Sequence, residues 1–434
     1  MLIERYCLNV NHFWMENNTM EKKQNKINRR NFLKTAGAAG LGAVFVSTGA
    51  KADSNASGKL QEPLFPQVPR RKLGKTGIDV PSLSLGAMFN LVDNQIILRK
   101  TLQWGANYWD TAYNYAGGNS ELGVGKYLSK NPDVRKNLFL VTKASGARSV
   151  ADVESRLQAS LKRMNTKYID LYYGVHALSA PAKLTDELKQ WAESAKKRKL
   201  IRFFGFSTHK NMARCLASAA KLDWIDAIMT SYNFRLMQNP QMQDAIEACH
   251  KAGIGLIAMK TTGQTTIRSY RQKVETEEDK KLIEHLLQQG FTQEQANIKV
   301  VLEDKRFSSA CVGMENVAIL TSNVAAVLDK TKFSQADMEI FKQYAASSCG
   351  SYCAGCAHIC DSALPDAPYV SDIMRYLMYY NSYGQQDRAR ELFAQIPDRV
   401  KNKLLNIDYS LVEARCPQRM PIGRLVAEAV GKLA

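Results

Sequence analysis

From residue 70 onward the chain alternates short apolar runs, rich in β-branched and aromatic residues, with longer stretches in which apolar positions recur every three or four residues. The short runs fall at 83–88, 106–112, 138–144, 168–177, 201–208, 226–233, 253–261 and 308–314. Runs of this length between turn residues predict strands, and the stretches between them predict amphipathic helices. In 149–164, for example, Val150, Val153, Leu157, Leu161 and Met164 share one helical face behind a Ser149/Asp152 capping pattern. Such alternation predicts βα units in a parallel sheet. Eight of them fit a closed (β/α)8 TIM barrel, which typically takes about 250 residues. The glycines and apolar positions of 71–80 predict a hairpin that closes the bottom of the barrel, and 264–306 is long enough to add a helix or a lid.

The first seventy residues follow a different pattern. Asn28-Arg29-Arg30-Asn31-Phe32-Leu33-Lys34 precedes an uncharged run from 35 to 50, rich in Ala and Gly, that ends at Ala50-Lys51-Ala52. Basic region, apolar region and small-residue cleavage site is the order of an export signal. The paired arginines before Phe-Leu-Lys resemble a twin-arginine signal, which implies export to the periplasm of a protein already folded. Met20-Glu21-Lys22-Lys23 is a natural start for it, so translation is expected to begin there. The domain reading is a signal peptide at 20–52, a polar linker at 53–69, the barrel at 70–329 and a mainly helical cysteine-rich unit at 330–434.

Composition changes this picture little. With 45% hydrophobic and 23% charged residues the 434-residue chain reads as globular. The net charge of +18 is spread along the sequence, and Lys196-Lys197-Arg198-Lys199 closes a predicted helix where cations suit the helix dipole. Nucleic acid is therefore not an expected partner. No run is long and apolar enough to span a membrane in the mature form.

Catalytic groups of such barrels stand where strands run out at the C-terminal face. Asp110, Lys143 and His176 end the second, third and fourth runs, and Tyr115 follows Asp110 by one short loop. Taken singly, Asp110 and Lys143 read equally as a buried ion pair and His176 as a core histidine. Together they suit carbonyl reduction: a phenol can give a proton to a developing alkoxide, an ammonium favours the phenolate, a carboxylate holds the ammonium, and an imidazole orients the substrate oxygen. Asp110-Thr111-Ala112-Tyr113-Asn114-Tyr115 with Ser120-Glu121-Leu122-Gly123, Val141-Thr142-Lys143, the run ending at His176, and Gly205-Phe206-Ser207-Thr208-His209 resemble, in order, the motifs of the aldo-keto reductases.

That resemblance implies hydride transfer between NADP(H), with NAD(H) as the alternative, and a small carbonyl or alcohol. Asp110, Tyr115, Lys143 and His176 would be catalytic. Gly86, Ala87, Met88, Asp110, Ser207, Thr208, Tyr232, Met259, Lys260, Gly313 and Asn323 would border the cofactor. The chain departs from the family in having Met229 where a cofactor-binding Gln is usual, and Met259 where an aromatic often stacks on the nicotinamide. No Arg or Lys stands between Gly313 and Asn323 to meet a 2′-phosphate. The competing reading is a catalytically weak cofactor-binding module, regulatory or electron-transferring, with a structural metal cluster.

Of nine cysteines, five lie in the last quarter, as Cys349-x3-Cys353-x2-Cys356-x3-Cys360 and a distant Cys416-Pro417. Close thiolates can share one metal centre, and zinc or disulfides would also use them. The segments around Cys353 and Cys416 resemble the ends of a ferredoxin-type extension found on some aldo-keto reductases. This implies one [4Fe–4S] cluster held by Cys353, Cys356, Cys360 and Cys416, with Cys349 as the alternative fourth ligand, and a redox partner docking there.

Overall fold

The computed structural model describes residues 65–263 and 277–434; the export signal and the segment 264–276 lie outside the described residues. A two-stranded hairpin, β1 (Arg70–Lys72) and β2 (Asp79–Pro81), precedes eight strands: β3 (Leu83–Gly86), β4 (Tyr108–Asp110), β5 (Phe139–Lys143), β6 (Ile169–Val175), β7 (Ile201–Thr208), β8 (Ala227–Ser231), β9 (Gly255–Met259) and β10 (Phe307–Gly313). β3 to β10 are parallel neighbours in chain order, and β10 closes on β3 to complete the barrel. The predicted runs thus became strands, six of them trimmed by two to four residues, while 201–208 kept its bounds and the last moved by one residue to 307–313.

Helices α1 (Gln95–Gln103), α2 (Asn119–Lys130), α3 (Val150–Arg163), α4 (Asp186–Lys197), α5 (Met212–Ala219) and α6 (Pro240–Lys251) intervene between successive strands. The long segment before β10 supplies α7 (Glu277–Gln288) and α8 (Gln293–Glu303), so the extra helix is present. α9 (Val317–Leu328) and α10 (Gln335–Ser347) follow β10. Ser149 caps α3 by accepting from the Asp152 backbone N–H, with the Asp152 carboxylate reaching back, as the pattern predicts.

The hairpin is the floor of the barrel. Leu73 and Val80 are fully buried and pack with Tyr108, Phe139, Val141, Leu171, Tyr173, Met229 and Ile257 inside the strands. A side chain at Gly255 would strike Leu73 at 2.4 Å, which is why the strand has none there. A larger core lies between strands and outer helices and includes Trp109, Tyr172, Phe204, Phe206 and Tyr232.

Beyond α10 the chain forms a second helical unit with its own core. It comprises α11 (Ala357–Ala363), α12 (Val370–Ser382), α13 (Gln386–Ala394), α14 (Asp398–Lys401), α15 (Ser410–Arg415) and α16 (Ile422–Leu433). α12 and α16 carry most of its apolar surface, including Ile373, Leu377, Leu425 and Val426. Among the described residues no helix is long and apolar enough to cross a membrane.

Candidate active site

Strand register brings the predicted polar ends together. Asp110 on β4 sits opposite Gly86 on β3, and Lys143 on β5 opposite Tyr173 on β6. The Lys143 ammonium donates to Asp110 Oδ1 and to the Thr111 carbonyl (2.7 Å), and both side chains of the pair are almost wholly buried. Burial works against the ammonium, but Asp110 more than restores it and lifts Lys143 above the ordinary lysine range. The ammonium lies over the Tyr115 ring, 4.8 Å from its centroid.

Burial pushes the Tyr115 phenol up to about 12, with Lys143 pulling the other way. The expected lowering by Lys143 is thus present but outweighed. His176 follows β6 and meets the Tyr115 ring edge to face at 5.9 Å, while its Nδ1 shares a 2.7 Å hydrogen bond with Ser145 Oγ. Burial first, then Lys143, Arg375 and Arg388, hold the imidazole down to about 3. It is therefore neutral at physiological pH, and Nε2 is its other polar atom.

The Ser120-Glu121 motif anchors this arrangement from behind. Ser120 Oγ donates to the Ala87 carbonyl (2.6 Å), and buried Glu121 accepts from Thr142 Oγ1 (2.7 Å) and Arg163 (3.1 Å). Residues 116–118 all have positive φ, a tight turn that carries the chain from Tyr115 into α2.

A roof covers the mouth on the side of β7, β8 and β9. Asn233 donates to the Tyr352 hydroxyl (3.0 Å), the Asn211 N–H to the Gly355 carbonyl (2.7 Å), and Lys260 Nζ to the Tyr379 hydroxyl (3.3 Å). Gly355 has φ +74°, and a side chain there would strike the His209 carbonyl at 2.4 Å. Lys210 pairs with Asp372 at 2.8 Å. Between roof and barrel lies a cavity of about 30 Å3 lined by residues that include His209, Ser231, Lys260, Tyr352, Cys353 and Arg375.

Residues 83–346, more than half of the chain, match the Aldo/keto reductase family. The chain belongs to that family. It is an oxidoreductase by that membership, and the barrel agrees with solved aldo-keto reductases: one from Bacillus halodurans covers 64% of this chain and 96% of its own, with a TM-score of 0.54 at 22% identity. An L-glyceraldehyde 3-phosphate reductase of Escherichia coli O157:H7 is 24% identical over 65% of this chain and 94% of its own length. A Schizosaccharomyces pombe protein named aldo-keto reductase yakc [NADP(+)] is 28% identical over 45% of this chain, spanning 62% of the yeast protein. Residues 26–46 match the signal sequence of the twin-arginine translocation pathway, which indicates export by that route.

In this aldo/keto reductase the residues expected to border a cofactor do not all reach the mouth. Gly86 and Ala87 end β3, where the Ala87 N–H donates to the Asp110 carbonyl (2.8 Å), and Met88 is exposed. Ser207 Oγ accepts from the Ala177 N–H (3.0 Å), and Thr208 Oγ1 donates to the Leu178 carbonyl (2.8 Å). Met259 is partly buried against the barrel interior and Gly313 is exposed. Asn323 is buried, and its Nδ2 lacks a hydrogen-bond partner among the described residues, an orphan that a nucleotide could satisfy. Tyr232 turns elsewhere: its hydroxyl donates to Asp304 (2.7 Å) and its ring stacks on Phe307 at 4.2 Å, within the core between strands and outer helices. Met229, in the Gln position, is buried in the barrel interior.

The reading missed Ser145, Cys311, Arg375 and Tyr379. Ser145 stood two residues past Lys143 at a run end and could have been flagged. Cys311 read as an apolar strand position, yet it neighbours Asp110, which together with burial pushes its thiol up. Nothing in the sequence says that α12 lies over the mouth.

The cysteine set separates in space. Cys353, Cys356, Cys360 and Cys416 lie within electrostatic reach of one another, and burial together with this proximity pushes the first three thiols up to about 12. All eight described cysteines are free. No three of the described His, Cys, Asp and Glu side chains converge on a single metal ion. A lone zinc needs its thiolates at about 2.3 Å, whereas a cluster takes a ligand on each iron and spaces them more widely.

Proposed function

We propose that the chain is an NADP(H)-dependent carbonyl or alcohol oxidoreductase with Tyr115 as its proton donor. The observation that carries this reading is the buried Lys143–Asp110 pair set against the Tyr115 ring, with neutral His176 in edge-to-face contact with the same ring. A bound nicotinamide supplies or accepts the hydride. With its phenol held up to about 12, Tyr115 keeps its proton at neutral pH until the substrate oxygen gains charge. Lys143 then stabilises the phenolate and Asp110 fixes the ammonium, while His176 Nε2 donates to the substrate oxygen and orients it.

Gly86, Ala87, Met88, Asp110, Ser207, Thr208, Met259, Gly313 and Asn323 would hold the nucleotide, and Lys260, at the edge of that set, would face the substrate's end of it. The name of the fission-yeast relative favours NADP(H) over NAD(H), although 314–322 carries no cation for a 2′-phosphate. One [4Fe–4S] cluster on Cys353, Cys356, Cys360 and Cys416, with Cys349 as the alternative ligand, would supply one-electron chemistry to a partner docking at the helical unit. Export by the twin-arginine route places this activity in the periplasm in our reading.

The test is carbonyl-dependent NADPH oxidation by the purified full chain. Tyr115→Phe lowers kcat by about 10²–10⁴-fold, the usual worth of a positioned acid, and unchanged turnover removes Tyr115 from its role. One observation favours the second reading, a binding or electron-transfer module with little turnover: Asn233 and Lys260, beside the nicotinamide end, already bond the roof. Tight nucleotide binding without turnover of any carbonyl would decide for it.

A further inference from the structure

The cavity between the barrel mouth and α12 joins cations from two parts of the chain. Lys260 follows β9 with φ of 56°, a left-handed conformation that a lysine adopts only when its surroundings impose it. Asn233 Nδ2 and the Gly263 N–H donate to its carbonyl and hold the turn. Among the described residues no carboxylate pairs with its ammonium, which rests on the Tyr379 hydroxyl at 3.3 Å and over the rings of Tyr379 and Tyr383 at 4.5 and 5.1 Å.

Arg375 enters from α12. Its partner Asp372 (2.8 Å) is shared with Lys210 (2.8 Å), which also has Asp361 at 3.9 Å, so among the described residues Lys260 is the one of these three cations without a carboxylate. The hydroxyls of Ser231 and Ser371 and the ring of His209 add polar groups to a lining that is otherwise largely apolar, with Met212, Met374 and Met378. His209 is held well below its ordinary value by burial, then by Lys260 and Arg375, so it meets a ligand as a neutral imidazole. At about 30 Å3 the cavity is large enough to admit a small polar group.

We infer that this cavity binds an oxyanion borne by the substrate, a carboxylate or phosphate held between Lys260 and Arg375. The inference rests on the oxidoreductase reading above and adds the substrate class: carbonyl compounds that carry an acid group. Tyr379 bonds Lys260 and is within electrostatic reach of Tyr115, which links the cavity to the neighbourhood of the proton donor. A charge-assisted pair of contacts fixes position as well as affinity, and so aims the carbonyl at Tyr115.

The experiment compares 4-formylbenzoate with its uncharged methyl ester. Each is titrated calorimetrically into the full chain, and each is then offered as a substrate with NADPH. The acid is expected to bind at least tenfold more tightly than the ester. Arg375→Gln and Lys260→Gln each bring the two within about twofold, and Arg375→Lys, which keeps the charge, retains most of the preference. Should Arg375→Gln fail to fold by circular dichroism, Lys260→Gln carries the test, since it breaks no ion pair among the described residues. Equal affinity for acid and ester in the parent overturns the inference, as does a preference that survives both Gln variants. A preference abolished by saturating NADP+ assigns the cations to a nucleotide phosphate and also overturns it. Preferential binding of the acid without NADPH oxidation leaves the subsite standing and sinks the oxidoreductase reading.

Discussion

Replacing Asp110 by Asn isolates what the ion pair at the barrel mouth contributes. The substitution keeps the side-chain shape but leaves the Lys143 ammonium, 1% exposed, with neutral acceptors alone, the new amide oxygen and the Thr111 carbonyl, and no counter-charge. Removing one partner of a buried pair typically costs about 3–5 kcal/mol, because an uncompensated charge stays in the interior. At roughly 2–4 °C per kcal/mol for a domain of this size, even 3 kcal/mol lowers Tm by about 6–12 °C. Lys143 is raised in the folded state, so its contribution is fully present below the unfolded value near ~10.4 and is lost as pH rises through the folded one. At pH 7 the parent therefore holds the whole lysine contribution, and its advantage over the amide narrows in strongly alkaline solution and again in acid, where Asp110, itself raised by burial, takes up a proton. Adding Lys143→Met to Asp110→Asn removes the stranded charge and should recover most of the loss. Thermal and denaturant unfolding of parent, both single variants and the double variant give the coupling directly. An Asp110→Asn protein as stable as the parent at pH 7, or a double variant no better than the worse single one, would refute the buried-pair argument.

His176, depressed to about 3, binds its proton more readily in the unfolded chain, so stability should fall as pH drops from about 6.5 towards 3; His176→Asn should flatten that part of the denaturation profile, and an identical slope would count against it. Cys416→Ser should lose iron and the visible absorbance of the anaerobically reconstituted protein while Cys349→Ser keeps both; the reverse result makes Cys349 the fourth ligand. Fusing 20–52 to a reporter should carry it across the inner membrane only while Arg29 and Arg30 are present, and normal passage of the Lys-Lys variant would point to another route.

The barrel was legible because a buried parallel strand and an amphipathic helix leave different periodicities, and eight alternations admit few architectures. Asp110, Lys143 and His176 were legible for a related reason: a polar residue ending an apolar strand has little to do in a core. Tyr232 misled because its neighbour Asn233 does reach the mouth, and adjacent residues at a strand end point to opposite sides. Arg375 and Tyr379 were invisible as site residues. Their spacing of four marks one face of a helix, but which surface that face meets depends on how two separately cored units dock, and periodicity carries no information about docking. The net effect of burial on Tyr115 escaped for a similar reason, since a neighbouring ammonium can be read from a motif and the depth of a pocket cannot.

The hairpin floor also fixes the pole at which the described chain enters the molecule. Phe65 packs on Trp104 and Gln67 bonds the Gln103 carbonyl, so the described chain begins beside α1 and runs directly into the floor strands. The roof, built from the last hundred residues, lies at the opposite end of the strands. The described chain therefore enters at the pole away from Asp110, Lys143 and His176, with the length of the strands between that entry and the mouth. A tag fused just ahead of Phe65 would start from that pole, and its point of attachment would leave the mouth clear.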